Sequence, residues 1–277
     1  MSSVIHSTST PKPFVVSRIW RNYPLILQLT RREVIGRYRG SLMGVAWSFL
    51  NPLLMLTVYT IFFTVAYSPR TGANETGNHG DFVIVLFVGL IIHSFFGDCI
   101  NRAPSIMVSN ANYVKKVVFP LEILPVVTAI AALFHVCVSL LMLLLVQLLL
   151  QHTLSWTIIF FPLVMAPFVL MVLGAAWFLS ALGVYVRDIG HLTGLLTTVL
   201  LFLSPVFFAV DTLPAKIQPW IMINPLTFII EQSRAVLLHG QIPNLRGVGI
   251  YTVVSVLAAW FGLWSFQKLR KGFADVL

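Results

Sequence analysis

The first long apolar run of the chain carries side chains of the kind that bind sugars. Ser48, Asn51, Tyr59, Phe62 and Phe63 recur there at helical spacing, so most of them share one helix face. Aromatic rings support the apolar C–H face of a pyranose, while hydroxyl and amide groups meet its hydroxyls. Without fixed charges on this face, a polymer can slide along it. The alternative assignments are an interfacial aromatic belt for Phe63 and helix packing for the others.

Catalytic and proton-relay chemistry find little support in the sequence. The acids of the predicted loops are scattered and form no pair suited to acid–base catalysis: Glu75, Asp81, Asp188, Asp211 and Glu231. His93 and His135 are single histidines within apolar runs, where a structural hydrogen bond is commoner than proton transfer. The chain has no GxxxxGK[ST] phosphate loop, so ATP-driven transport would need a partner. A membrane enzyme and an ion-coupled secondary transporter are the rival function classes.

Composition places these residues in a membrane protein. Hydrophobic residues make up 58% of the 277 residues and charged ones only 10%, which exceeds what one soluble core can bury. Because helices satisfy their own backbone hydrogen bonds in lipid, we predict an all-α polytopic membrane protein. Its six predicted spans are 42–67, 82–100, 122–150, 157–186, 192–210 and 248–266.

The basic residues give the predicted orientation. The net charge is +9, but the 18 basic residues cluster at the edges of the predicted spans, so topology accounts for them better than nucleic-acid binding does. If the amino terminus is inside, the only basic residues on the outer side are Arg70, Lys216, Arg234 and Arg246. We therefore predict that both termini are cytoplasmic.

The segments that flank the predicted spans differ in character. Residues 18–39 interleave arginines with apolar side chains, which is typical of an interfacial helix. Residues 221–230 are apolar but too short to cross a bilayer, which favours a re-entrant hairpin. The predicted organisation is a polar tail (1–20), an amphipathic interfacial helix (21–40), a six-helix transmembrane domain (41–267) with a cytoplasmic loop (101–120) and an outer re-entrant segment (211–246), and a cytoplasmic tail (268–277).

Three blocks of sequence carry a family resemblance. The first is Arg37-Tyr38-Arg39-Gly40-Ser41-Leu42 continuing to Asn51-Pro52-Leu53; the second is Tyr113-Val114-Lys115-Lys116-Val117-Val118-Phe119-Pro120; the third is Tyr185-Val186-Arg187-Asp188-Ile189 leading to Ser204-Pro205 and Asn224-Pro225-Leu226. In this order, over residues 20 to 270, the chain resembles the permease subunits of type-2 ABC exporters for O-antigen, capsule and teichoic-acid polymers, the Wzm-like family.

The resemblance implies an assembly and a cargo. It implies a homodimer of six-helix subunits in the bacterial inner membrane, with two copies of an ATP-binding subunit below. ATP and Mg would be held on that partner, and this chain would carry no cofactor and no metal. The expected cargo is a lipid-linked polysaccharide such as O-antigen, and the expected contacts are with membrane lipids and not with nucleic acid. An export permease for drugs or lipids is the closest alternative.

In the resembled family, the loop between the second and third spans contains a coupling helix that docks on the ATPase. The corresponding residues here, together with two from the interfacial helix, are Arg31, Arg32, Pro104, Ser105, Met107, Lys115 and Lys116. The exposed apolar residues expected beside these lysines indicate a partner surface, and a solvated connector is the alternative. Asp98 and Arg102 are four residues apart, so we expect them to pair along one helix end.

An outer gate is the last site predicted from the sequence. A resting pore wide enough for a glycan would leak ions, so its outer end needs a closable element. The segment after the fifth predicted span is too short to cross and is interrupted by prolines. The predicted gate residues are Ser204, Pro205, Pro214, Pro219 and Trp220.

Overall fold

A computed structural model gives the structure of the protein for residues 21–66, 79–115, 119–152, 154–208, 210 and 213–276, and for all their side chains except 45, 63–66, 79–82, 150, 151 and 274. The predicted tail 1–20 lies outside these ranges. Within them every regular element is a helix. The predicted all-α class is confirmed.

The helices follow the predicted order of apolar segments. The first half of the chain contains α1 (Tyr23–Arg37), α2 (Trp47–Ala66), α3 (His79–Arg102), α4 (Ile106–Ser109), α5 (Ala111–Val114) and α6 (Ile123–Gln151). The second half contains α7 (Phe161–Tyr185), α8 (Ile189–Leu203), α9 (Gln218–Ile223), α10 (Pro225–Leu237), α11 (Leu245–Leu269) and α12 (Phe273–Val276). Short 3₁₀ turns lie at Gly44–Ala46, Ala103–Ser105, Trp156–Phe160 and Arg270–Gly272.

Within the described residues, four helical stretches are long and apolar enough to cross a membrane. They are Val83–Ser109, Ile123–Leu149, Trp156–Tyr185 and Leu245–Gly272. Two shorter apolar stretches are Trp47–Phe62 and Ile189–Leu203. The 15 residues of α8 extend for only about 22 Å, less than the roughly 30 Å of a hydrocarbon core. The chain that follows α8 must therefore complete any crossing of the bilayer that begins with this helix.

Two glycines shape the turn that leads from α1 into α2. Gly40 and Gly44 have φ angles of 87° and 51°, in the left-handed region that a residue without Cβ adopts at little cost. Between them, the Ser41 hydroxyl donates to the Tyr38 carbonyl and accepts from the backbone N–H of Gly44, both at 3.0 Å. The turn thus fixes how α2 leaves α1.

Two asparagines begin the helices at the other side of the molecule. The Asn224 side chain accepts from the backbone N–H of Leu226 at 3.0 Å, and Pro225 occupies the first turn of α10. The Asn244 side chain accepts from the backbone N–H of Gly247 at 3.1 Å and starts α11. Each asparagine satisfies a backbone donor that the first helical turn leaves unpaired.

The buried side chains form two apolar cores. The larger core lies among α3, α6, α7 and α10 and includes Phe95, Phe168 and Ile230. The second core joins α1 and α4 to the ends of α6, α7 and α11, and it includes Met107 and Phe266. We call the part of the molecule around this second core the α1 end, and the part around α9 and α10 the α9 end; α3 connects the two.

Residues 270–276, predicted as part of a C-terminal tail, fold back onto the α1 end. Phe273 is buried beside Phe266, with ring centroids 5.7 Å apart. Arg270 pairs with the buried carboxylate of Glu122 at 2.8 Å, and the Trp177 indole N–H donates to the Glu122 carbonyl at 2.9 Å. These contacts fix the beginning of α6 against α7 and α11.

Small residues let α7 approach its neighbours closely. A Cβ added at Gly174 would collide with the Ala258 carbonyl of α11, and one at Gly262 would collide with the Gly174 carbonyl. A Cβ at Gly183 would collide with the Pro104 carbonyl. Close backbone approach of this kind holds helices together where both are surrounded by lipid. It also seats the turn Ala103–Ser105 directly on α7.

Candidate functional site

A cavity of about 600 Å³ lies between α2, α3 and α6, next to the turn that follows α1. Residues of α2 on one helical stripe form one wall: Ser48, Asn51, Pro52, Met55 and Tyr59. The opposite walls come from α3 and α6 and include Ser94, Asp98, Asn101, His135 and Ser139. Arg37 and Tyr38 lie at its α1 end. The volume falls within the range of small-molecule binding clefts.

The structure brings together three of the five predicted sugar-binding residues. Ser48, Asn51 and Tyr59 line the cavity. Among the described side chains, Phe62 is not part of the lining and is 60% exposed. The side chain of Phe63 lies outside the described part of the chain. The phenyl and phenol rings that line the cavity are therefore Tyr38 after α1, Tyr59 on α2, and Phe87 and Phe95 on α3.

Sequence reasoning missed the walls supplied by α3 and α6. Their signal was present in α3, where Ser94, Asp98 and Asn101 recur three or four residues apart within an apolar helix, which places them on one face. The matching polar positions of α6 are His135 and Ser139, also four apart. A polar stripe on an otherwise apolar helix is a stronger indication of a lined cavity than the aromatic count alone.

His93 and His135, both half-buried, make hydrogen bonds of the kind expected for single histidines in apolar helices. His93 donates from Nε2 to the Thr197 carbonyl of α8 at 2.9 Å. The Tyr38 hydroxyl lies 3.4 Å from Nδ1 of His135. Burial is the main cause that raises the pKa of Tyr38, so its hydroxyl stays protonated and can donate. These bonds connect the cavity walls to α8 and to the turn after α1.

The charged side chains that line the cavity form ion pairs. Arg37 Nη1 lies 2.7 Å from Asp98 Oδ2, and Arg102 Nη1 lies 2.7 Å from Glu33 Oε1. The predicted pair within α3 is therefore wrong: Asp98 and Arg102 each pair with α1. The physical reason is that Glu33 and Arg37 are also four apart, so the two helices present complementary charges along their contact. The cavity thus offers hydrogen-bonding groups without a net charged site.

The predicted coupling residues divide into exposed and buried groups. Arg31, Ser105 and Lys115 are exposed, and Arg32 donates to the Tyr113 hydroxyl at 3.2 Å. Lys116 lies outside the described residues. Ser105 and Arg32 line a groove of about 290 Å³ between α1, α4 and α6.

Two of those residues are buried within the subunit. Pro104 is buried and Met107 is 0% exposed, in the core of the α1 end. The expectation that the apolar face of this loop needs a partner is therefore wrong for Met107. The reason is that Gly183 lets the preceding turn sit on α7, which directs α4 inward. Val108 remains exposed.

Two of the predicted gate residues are buried at the α9 end, where α8 stops. Ser204 and Pro205 are buried, and the Asn224 side chain donates to the Ser204 hydroxyl at 2.8 Å. Pro214, Pro219 and Trp220 are exposed, with Trp220 at 74%. The predicted gate residues therefore fall into two groups: Ser204 and Pro205 are buried just after α8, while Pro214, Pro219 and Trp220 are exposed in α9 or shortly before it.

Arg234 is the group at this end that sequence reasoning did not identify. Its side chain is only 4% exposed. The guanidinium donates to the carbonyls of Val85 at 3.2 Å, Val206 at 3.1 Å and Phe208 at 3.4 Å, and it pairs with Glu231 at 3.0 Å. We call residues 204–208 the outer strap. The strap has left helical hydrogen bonding, so its carbonyls need donors, and Arg234 supplies them for Val206 and Phe208.

Comparison with known proteins decides the family. The sequence model described as ABC-2 type transporter matches residues 24–238, from the start of α1 to the end of α10. The chain belongs to the ABC-2 type transporter family. The resemblance inferred from the three sequence blocks is confirmed, and with several apolar helices the protein is a multi-pass membrane protein. The family match contains the cavity, the groove and the outer strap of this ABC-2 subunit.

Three relatives of this ABC-2 subunit are similar over almost their whole length. The O-antigen export system permease protein RfbA of Myxococcus xanthus is 27% identical, covering 94% of this chain and 98% of the relative. A protein of the same description from Klebsiella pneumoniae is 24% identical, covering 92% and 95%. The capsule polysaccharide export inner-membrane protein CtrC of Neisseria meningitidis serogroup B is 25% identical, covering 97% of each.

Proposed function

We propose that this chain is the transmembrane subunit of an ATP-driven exporter that moves a polysaccharide, such as lipid-linked O-antigen, across the bacterial inner membrane. The observation that carries the proposal is the similarity to proteins named as O-antigen or capsule exporters, which extends over 92 to 97% of this chain. The cavity supports the cargo class because it combines aromatic surface with hydrogen-bonding groups, and its charged side chains are held in ion pairs.

The proposed conduit runs along the α2 wall of the cavity. Its inner mouth is the α1 end, and its outer mouth is the α9 end, where the outer strap lies. A second copy of the chain would complete the conduit by packing against the exposed apolar face of α8. The residues of that face are Leu192, Leu195, Leu196, Val199, Phe202 and Leu203. In this homodimer, each subunit contributes one aromatic and polar wall.

The proposed topology has six spans with both termini in the cytoplasm. It adds α2 and α8 to the four long helical stretches, and the outer strap carries the chain beyond the short α8. This arrangement leaves fourteen of the 18 basic residues on the cytoplasmic side. Interfacial placement of α1 agrees with its exposed arginines and with the burial of Ile26 on the opposite side.

Cysteine labelling tests this topology. In a variant without Cys99 and Cys137, the only cysteines of the chain, a membrane-impermeant thiol reagent applied from outside should label Gln218→Cys. It should leave Ser109→Cys and Lys271→Cys unlabelled until the membrane is permeabilised. Labelling of Lys271→Cys in intact cells would contradict the proposed orientation.

The proposed partner is a separate ATP-binding subunit, two copies of which hold ATP and Mg below the homodimer. Its docking surface would include the groove lined by Arg32 and Ser105 together with the exposed Arg31 and Lys115. A bulky group at the groove and an acid in place of an exposed lysine disturb the shape and the charge of this surface.

Copurification of the ATP-binding subunit tests this assignment. We expect Ser105→Trp combined with Lys115→Glu to lower the amount that copurifies by about tenfold, because a loss of about 1.4 kcal/mol of binding free energy has that effect. The matched control is Arg187→Glu, an exposed residue outside the groove. Full copurification of the ATP-binding subunit with the double variant would remove the groove from the interface.

A further inference from the structure

Four charged side chains join α1 to the end of α3. Glu33 and Arg37 on α1 face Arg102 and Asp98 on α3, and both cross-helix distances are 2.7 Å. Each helix carries one acid and one base four residues apart. The ion pairs nevertheless form between the two helices and not within them. Their order is reversed: Arg37, the later residue on α1, pairs with Asp98, the earlier residue on α3. We call this set the double clamp.

The double clamp contributes more to position than to folding free energy. Its side chains are between 21% and 40% exposed, and ion pairs with this exposure add little to stability. Two pairs side by side do, however, define both the register and the orientation of α1 on α3, because a shift by one helical turn would place like charges opposite each other.

The double clamp connects two elements that have different tasks. At the α1 side, the chain passes through the glycine turn at Gly40 and Gly44 into α2, the aromatic wall of the cavity. At the α3 side, the chain passes through the turn Ala103–Ser105 into α4 and the groove. Pro104 in that turn lies against Gly183 of α7, so the turn and α7 shift together.

We propose that the double clamp is the link by which a displacement at the groove moves α2, and that its four residues are positioning residues for transport. The proposal rests on the proposed function, since it assumes that an ATP-driven partner displaces the groove. A displacement of Ala103–Ser105 pulls the end of α3, the paired charges carry α1 with it, and the hydrogen-bonded turn after α1 transmits the shift to the cavity wall.

Charge exchange tests the clamp in the assembled complex with its ATP-binding subunit. Glu33→Arg and Arg102→Glu each place like charges together, while the double exchange restores the pair with its polarity reversed. Arg37→Asp and Asp98→Arg form the second set. The control is Arg187→Glu, an exposed arginine between α7 and α8.

Two measurements separate the clamp from the cargo assignment. The first is polysaccharide exported per ATP hydrolysed. The second is the reactivity of a single cysteine at Met55 of α2 toward a thiol reagent, with and without ATP and vanadate, in a variant in which Ala replaces Cys99 and Cys137. The second measurement involves no glycan, so a wild-type complex that exports no polysaccharide would refute the proposed function and leave the clamp test intact.

We expect each single reversal to abolish the nucleotide-dependent change at Met55→Cys and to lower export per ATP by at least about fivefold, the lower range of coupling between sites. Each double exchange should restore both readouts, and Arg187→Glu should match wild type. Where a charge reversal prevents assembly of the complex, the isosteric variants Glu33→Gln and Asp98→Asn remove one ion pair each and should show the same two losses. Single variants that behave like Arg187→Glu, or double exchanges that remain as impaired as the singles, would overturn the proposal.

Discussion

Replacing Arg234 by lysine should make the assembled transporter leak ions. The planar guanidinium donates to the carbonyls of Val85, Val206 and Phe208 and pairs with Glu231. A lysine ammonium is a compact point charge that cannot reach groups spread around a planar fork. At least one carbonyl of the outer strap would lose its donor, and a hydrogen bond to a charged group contributes about 1.5 to 3 kcal/mol.

The expected increase in ion leak follows from the free energy of that hydrogen bond. A loss of about 1.5 kcal/mol from the closed strap raises the open population by roughly tenfold. Ion flux through proteoliposomes that contain the Arg234→Lys complex should rise by about that factor over wild type. Arg234→Leu should go further and reduce the amount of folded protein, because the carbonyls of Val85, Val206 and Phe208 lose their donor, at a cost of about 1 to 3 kcal/mol for each one left unsatisfied in a buried site.

Arg246→Lys is the matched control for the leak measurement. Arg246 lies in the first turn of α11 and is exposed, so the same substitution removes no buried hydrogen bond there. An Arg234→Lys complex with wild-type ion flux and wild-type export would show that the outer strap does not seal the conduit. The buried arginine would then be a structural anchor between α3 and α10 and no part of a gate.

Truncating Tyr59 should slow export without weakening the complex. Tyr59 is the aromatic residue of α2 that lines the cavity, and an aromatic contact contributes about 0.5 to 1.5 kcal/mol beyond the area it buries. If the ring supports sugar residues in transit, Tyr59→Ala should lower the export rate by roughly fivefold, the equivalent of about 1 kcal/mol. ATP-binding subunit content and basal ATP hydrolysis should stay at wild-type values, since the residue is remote from the groove.

Two further variants test whether the loss of export comes from the aromatic ring of Tyr59. Tyr59→Phe keeps the ring and should export at nearly the wild-type rate. Phe62→Ala removes a ring that does not line the cavity and should have a smaller effect than Tyr59→Ala. Equal export by the Tyr59→Ala variant and wild type would move the conduit away from this wall and leave Tyr59 a packing residue.

The parts of the fold that the sequence predicted are those that depend on local physics. Long apolar runs predict helices wherever the chain lies in lipid, so each predicted span has a helix at its position. The spacing of Ser48, Asn51 and Tyr59 depends only on the helical repeat, and these residues do share the cavity wall. Asn224 before Pro225 likewise predicts the start of a helix, because a capping side chain bonds to the backbone of the next turn.

The parts that the sequence did not predict depend on contacts between distant segments. Asp98 and Arg102 have a plausible partner in each other, and only the approach of α1, more than 60 residues away in the chain, decides that they pair elsewhere. Met107 resembles an exposed residue of a loop until the missing side chain of Gly183 brings the loop onto α7.

Arg234 shows the same limit for charge counting. From the sequence it is one of four basic residues on the outer side, where orientation rules treat every arginine alike. In the structure its side chain is nearly inaccessible to solvent, and its guanidinium donates hydrogen bonds to backbone carbonyls. Its role depends on where the strap after α8 leaves helical hydrogen bonding, and no local pattern around residue 234 contains that information.

The location of polysaccharide in cells that lack this chain tests the central claim most directly. Lipid-linked glycan extracted from the cytoplasmic side and surface glycan detected by antibody should be measured together in the source organism. Removal of the chain should leave the polymer inside and clear it from the surface, and return of the wild-type chain should reverse both changes. Unaltered surface polysaccharide in cells without the chain, with no glycan retained inside, would contradict the assignment of a polysaccharide cargo.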